Sequence, residues 1–231
     1  MTPATEDTIA IPYLFFVVGV LPALGFFSWD YLRSHKTGPK KKRYSRAIFM
    51  QVWLLAFTLV AAKAENINLL PTKPPSASAS ISGLLFLIIL LVRVRLSLQR
   101  LDDKTKGRLA LFLPETQREF WFWVPISLLA GAGEECAYRG VAYRLLVLVS
   151  QSARFALLVC VVAFAVAHLY QGWKSAITLG VVGFASHVAV FVTGSLFLSI
   201  AVHAIYDLSL GWFAVRSLSA EGLERTQSAS G

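Results

Sequence analysis

Seven apolar runs, each near the roughly twenty residues a helix needs to cross the hydrocarbon layer, constrain this chain more than any other feature. They cover approximately 9–32, 47–63, 80–94, 120–149, 153–170, 175–193 and 195–215. Backbone in lipid must satisfy its own hydrogen bonds, so runs of this length are expected to be helical. The third is short and the fourth long. The expected fold is all-α, a polytopic membrane bundle of seven to eight transmembrane helices. With 56% hydrophobic and only 15% charged residues in 231, a soluble globule is excluded. No internal repeat or second domain is visible. Residues 1–218 are read as a single transmembrane domain, and 219–231 as a polar, Ser-rich, disordered tail.

The net charge of +9 is gathered into two connections between apolar runs rather than along one polar face, which argues for membrane topology and against a nucleic-acid partner. The first connection holds Arg33, Lys36, Lys40, Lys41, Lys42, Arg43 and Arg46 without an acid. The second holds Arg93, Arg95, Arg100, Lys104, Lys106 and Arg108. Short Lys- and Arg-rich loops stay on the cytoplasmic side, so a cell-membrane protein with its N-terminus outside and its C-terminus cytoplasmic is expected. The first run is preceded by Glu6 and Asp7 but no Lys or Arg, and it is longer than a signal-peptide core. It reads as a retained span. Residues 107–122 mix charged and large apolar residues and are expected to lie along the cytoplasmic interface. Cys136 and Cys160 both fall in apolar runs, which suggests packing rather than a disulfide or metal pair.

Ionisable residues at membrane depth cost at least about 2.5 kcal/mol each, so every one needs a partner or a function. The fourth run contains Gly133-Glu134-Glu135-Cys136-Ala137-Tyr138-Arg139-Gly140. Glu135 and Arg139 are four residues apart in the favourable order for an ion pair and read as structural. Glu134 points about 100° away, has no such partner, and is free to act as a general base. His168 follows Phe164 by one turn in the fifth run, and Asp207 follows His203 by one turn in the seventh. A lone interior histidine is more often a hydrogen-bonded core residue than a ligand. The His203–Asp207 pair is a stronger signal, because two such donors can hold a metal, orient an imidazole or bind a developing oxyanion; the bland alternative is a polar clamp between helices. His187 is unpaired in sequence and is expected to pack or to support the site.

The order Glu134-Glu135-x-x-x-Arg139, Phe164-x-x-x-His168, then Thr193-Gly194-Ser195-Leu196 running into His203-x-x-x-Asp207 resembles the CAAX protease and bacteriocin-processing family of intramembrane endopeptidases. That family, also called CPBP or Abi, includes the type II CAAX prenyl endopeptidases. The similarity covers about 120–210. The resemblance implies a polar cavity at the centre of the bundle and an endopeptidase in which Glu134 with His168 activates water for attack on a peptide bond. It implies that His203 with residue 207 stabilises the oxyanion, while Glu135, Arg139 and Phe164 shape the site. Substrates would be peptides or membrane proteins. Prenyl-endopeptidase members carry Asn at the last position, whereas Asp207 donates a hydrogen bond only when protonated. Either Asp207 is neutral, or it fixes the His203 tautomer, or Glu134, His168, His203 and Asp207 bind a divalent metal such as zinc. The metal-free mechanism, with no cofactor required, is the favoured one.

Depth poses a difficulty. If the fourth span starts at Phe120, Glu134 lies about 21 Å deep at 1.5 Å per residue, while His168 ends the fifth span near the cytoplasmic side. A helix break around Pro125, Gly131 and Gly133, opening a cytoplasm-facing cavity, would reconcile them. Two other functions compete: a non-proteolytic scaffold or immunity protein of the same fold, and an ion-coupled transporter, which buried Glu, His and Asp would also serve. The front half has no counterpart of the polar set, which disfavours a transporter built from two repeats.

Overall fold

The computed structural model describes residues 9–34, 39–69, 76–99 and 110–228. Lys36, Arg100, Lys104, Lys106 and Arg108, which carry part of the orientation argument, lie outside the described residues, as do 107–109 of the interfacial segment.

Among the described residues the bundle consists of seven helical rods, and no strand occurs. The first joins α1 (Ala10–Phe15) to α2 (Leu21–Ser34) through a π-helical turn, Phe16–Val20. Next come α3 (Lys40–Ala64) and α4 (Ala77–Gln99). The fourth rod runs from α5 (Gln117–Glu134) through a π-helical segment, Glu135–Ala142, into α6 (Tyr143–Ser150). It is followed by α7 (Ala153–Ala167), a 3₁₀ turn at Leu169–Gln171, α8 (Trp173–Thr193) and α9 (Leu196–Ser228). Residue 219, where the polar tail was expected to begin, falls inside α9.

Among the described residues four stretches are long and apolar enough to cross a membrane by themselves: Ala10–Ser28, Lys40–Ala64, Trp173–Thr193 and Leu196–Arg216. Two shorter apolar helices, Ala77–Arg93 and Ala153–Ala167, accompany them. Large apolar side chains such as Phe191, Val149, Ile11 and Phe15 point outward, the expected arrangement when lipid is the solvent.

Lipid tails are as apolar as Leu, so close packing and hydrogen bonds rather than water exclusion hold the helices together. The core accordingly uses small residues, with Ala61, Ala62, Ala137, Ala142, Ala156 and Ala163 buried between α1, α3, the π segment, α6 and α7. Polar stitches cross it. The Tyr13 hydroxyl lies 3.1 Å from Thr58 Oγ1 and 3.4 Å from the Ala137 carbonyl. The Tyr138 hydroxyl donates to the Val17 carbonyl at 3.4 Å, inside the first π turn.

The fourth rod differs from expectation. α5 continues unbroken through Pro125, Gly131 and Gly133, and the departure from α geometry comes two residues after Gly133, in the π segment. The glycines serve helix approach instead. A Cβ on Gly131 would sit 3.0 Å from the Ala204 backbone nitrogen of α9, and one on Gly133 would sit 3.3 Å from Gln51 Oε1 of α3. Both neighbours thus pack directly on α5, and both carry polar groups of the site.

Candidate active site

The depth difficulty is resolved by the turn between α6 and α7. Gln151 ends α6 in the left-handed conformation at φ 54°, and the Ser152 hydroxyl caps α7 by accepting from the Phe155 amide. The two rods therefore run antiparallel from a two-residue turn. Glu134 stands seventeen residues before Gln151 and His168 seventeen after it, so the hairpin brings them to one level. α7 has only 15 residues, about 22 Å at 1.5 Å per residue, and it stops short of a full crossing. Depth counted from the far end of the fourth rod misplaces Glu134, because that rod is longer than one crossing.

Glu134 is buried. Its Oε1 accepts from Gln51 Nε2 of α3 at 2.6 Å, while its Oε2 has no hydrogen-bond partner and lies 3.7 Å from His168 Nε2. His168 is oriented by its other nitrogen: Nδ1 lies 2.8 Å from the Phe164 carbonyl. A carbonyl only accepts, so Nδ1 carries the proton, and in the neutral ring Nε2 presents its lone pair toward Glu134.

Glu135, only 1% exposed, is the centre of a second and tighter set. Its Oε1 accepts from His203 Nδ1 at 2.9 Å and pairs with Arg139 Nη1 at 3.3 Å; its Oε2 accepts from the Ser199 hydroxyl at 2.5 Å. Arg139 also donates to the Gly183 carbonyl at 3.2 Å and lies 4.5 Å above the Phe164 ring. This is the expected Glu135–Arg139 pair, extended to α8 and α9. Burying both charges is tolerable because each meets opposite charge and hydrogen bonds.

His203 Nε2 stands 3.6 Å from Asp207 Oδ2, beyond direct hydrogen bonding. One expected alternative therefore changes. The carboxylate that fixes the His203 tautomer is Glu135, acting on Nδ1, and not Asp207. Ser199, His203 and Asp207 follow one another at four-residue intervals along one face of α9. Glu134 lies within electrostatic reach of both His203 and Asp207, so the two sets adjoin. His187 donates from Nδ1 to the same Gly183 carbonyl that Arg139 uses, at 3.1 Å. Cys136 and Cys160 are buried, unpaired and part of the packing.

Among the described residues no three His, Cys, Asp or Glu side chains converge as ligands of one ion, and Glu134 with His168 forms one pair while His203 is held by Glu135.

Gln51 and Ser199 were not among the sequence candidates. Neither side chain ionises, so a search for charge in apolar runs passes over both. Gln51 had one available signal, as an amide inside the second apolar run that needs a partner. Ser199 extends the i, i+4 ladder of His203 and Asp207 by one turn.

No curated protein and no solved structure matches the chain. Residues 116–209 match the family model described as type II CAAX prenyl endopeptidase Rce1-like. This span contains Glu134, Glu135, Arg139, Phe164, His168, His203 and Asp207, and of the site described here it omits only Gln51. Over the stretch that carries these side chains, the chain is thus similar to the Rce1-like type II CAAX prenyl endopeptidases, in agreement with the CPBP resemblance.

Proposed function

We propose that this protein is an intramembrane endopeptidase in which Glu134 and His168 activate water and His203 stabilises the oxyanion. The observation that carries this reading is the open Oε2 of Glu134, buried, without a hydrogen-bond partner and 3.7 Å from His168 Nε2. A water about 2.8 Å from each atom would hydrogen-bond to both, donating one proton to the carboxylate and one to the imidazole lone pair. Glu134 takes a proton as the water oxygen attacks the peptide carbonyl. The same proton then passes to the leaving amine as the C–N bond breaks.

The oxyanion falls to α9. With Nδ1–H committed to Glu135, His203 Nε2 donates only when the ring is an imidazolium, a form that the carboxylate of Glu135 holds directly and that of Asp207 favours. Asp207 thus acts on charge rather than as a donor in its own right. The arrangement operates without a resident metal. The substrate is a peptide segment reaching the site from the cytoplasmic side, in a bundle with its N-terminus outside and its C-terminus inside.

The test is cleavage of a prenylated CAAX reporter peptide by the protein in liposomes, with Glu134→Gln, His168→Ala and His203→Ala measured in parallel. Loss of a general base costs about 10²–10⁴ in rate, and loss of an oxyanion donor about 10²–10³. Activity should survive a chelator; its loss on chelation and return with zinc would overturn the metal-free mechanism. A folded wild-type protein that leaves peptides and membrane proteins uncut would return the scaffold reading.

A further inference from the structure

His168 needs more than its Nδ1 hydrogen bond to be placed. One hydrogen bond is a single point of attachment, and the ring can still leave it by rotating about Cβ–Cγ. Two rings restrict that rotation. Phe164 lies 4.5 Å away at an interplanar angle of 48°, and Tyr170, from the 3₁₀ turn, stacks at 5.9 Å and 29°.

Tyr170 is in turn constrained at both ends. Its hydroxyl accepts from Gln171 Nε2 at 3.0 Å, and the Phe112 ring meets it edge-on at 5.3 Å and 65°. Phe112 belongs to an irregular strap, residues 110–116, that precedes α5 and is pinned to α3 on either side of Phe112. Arg43 Nη2 donates to the Leu111 carbonyl at 3.0 Å, and Lys40 Nζ donates to the Leu113 carbonyl at 3.2 Å. Lys40 also pairs with Glu115 and Glu119. The strap joins α5 through a local cap, in which the Glu119 amide donates to Thr116 Oγ1 at 3.2 Å and the Glu115 amide to Glu119 Oε2 at 2.9 Å. A continuous series of contacts therefore runs from the basic end of α3 through Phe112 and Tyr170 to the imidazole.

We propose that Tyr170, braced by Phe112, is a positioning residue that sets the plane of the His168 ring. The proposal rests on the reading of His168 as a partner of the attacking water. In it the aromatic ring of Tyr170 is what matters, and the hydroxyl only anchors that ring. Turning the imidazole out of plane breaks the Nδ1–H bond to Phe164, frees both tautomers and points the Nε2 lone pair away from Glu134. The water then loses its second anchor while substrate binding is left alone.

The experiment combines nitrogen-15 histidine NMR in detergent micelles with steady-state cleavage of the prenylated reporter peptide in liposomes. The chain has only four histidines, and the His168 signal is assigned by its absence from His168→Gln. Wild type and Tyr170→Phe should show one Nδ1–H tautomer, and Tyr170→Phe should keep at least about a third of the wild-type kcat. Tyr170→Ala should show exchange between tautomers and a kcat lower by about tenfold, with KM within about twofold. Phe112→Ala, which leaves the helices untouched, should shift both readouts the same way by about threefold and serves if Tyr170→Ala fails to fold. A single tautomer retained in Tyr170→Ala or, should that variant not fold, in Phe112→Ala overturns the proposal. So does a loss in Tyr170→Phe as deep as in Tyr170→Ala. Should the wild-type protein cleave nothing, the NMR arm still decides the positioning role, and the peptidase reading fails separately.

Discussion

Two adjoining polar sets occupy the same stretch of helix and are built in opposite ways. Around Glu135 both carboxylate oxygens are engaged, by Ser199 at 2.5 Å, by His203 at 2.9 Å and by the Arg139 guanidinium at 3.3 Å, which ties α9 and the π segment into one knot. Around Glu134 the contacts are sparse, with one oxygen held by Gln51 and the other left open toward His168. A carboxylate with both oxygens engaged holds helices together; the open oxygen of Glu134 is, in the proposed mechanism, where the attacking water binds. The two carboxylates are neighbours in sequence, so the difference comes from which helices each faces.

The sharpest way to break this comparison is to neutralise each acid in turn. Glu135→Gln should destabilise the protein by about 3–5 kcal/mol, because it leaves Arg139 as an unpaired buried charge. Glu134→Gln should leave the thermal midpoint in detergent unchanged while abolishing cleavage. Equal loss of stability in both variants would show that the sets are not distinct. Next in size, Gln51→Leu removes the amide that orients Glu134 and should slow cleavage by about tenfold through about 1–2 kcal/mol of lost hydrogen bonding. An unaffected rate would mean that Glu134 is placed by packing alone.

Asp207→Asn separates charge from hydrogen-bond donation at the edge of the tight set. If His203 is the donor, the variant keeps the protein folded and changes kcat by less than about tenfold, since the new amide also donates. A loss as large as that of His203→Ala would make the carboxylate itself indispensable. The smallest effect is expected at Lys40, whose pairs with Glu115 and Glu119 lie at the partly exposed end of α3. Lys40→Ala should cost about 0–1 kcal/mol of stability, measured by denaturant titration in micelles, because solvent screens such pairs.

The sequence made the bundle and the ionised part of the site legible for one reason: charge in an apolar run has few explanations. The pairing of Glu135 with Arg139 followed from their spacing, as did the common face of His203 and Asp207. Gln51 and Ser199 stayed hidden because neutral polar groups occur in membrane helices for many reasons. The π segment left no trace in composition either. Pro125, Gly131 and Gly133 suggested a break, but the helix runs on through all three, and tertiary packing uses the two glycines for close helix contact. The strap that carries Phe112 was recognised as amphipathic, but its attachment to Lys40 and Arg43 is a long-range contact with no local signature.

The equal arms of the α6–α7 hairpin impose a rule on chain length. Extra residues at the tip, next to Gln151 and Ser152, leave both functional groups where they are. A residue added within one arm alone slides its side chain by about 1.5 Å and swings it by about 100°, which takes either Glu134 or His168 out of register with the other. Length variation in this part of the molecule is therefore confined to the bend, unless the second arm changes in step with the first.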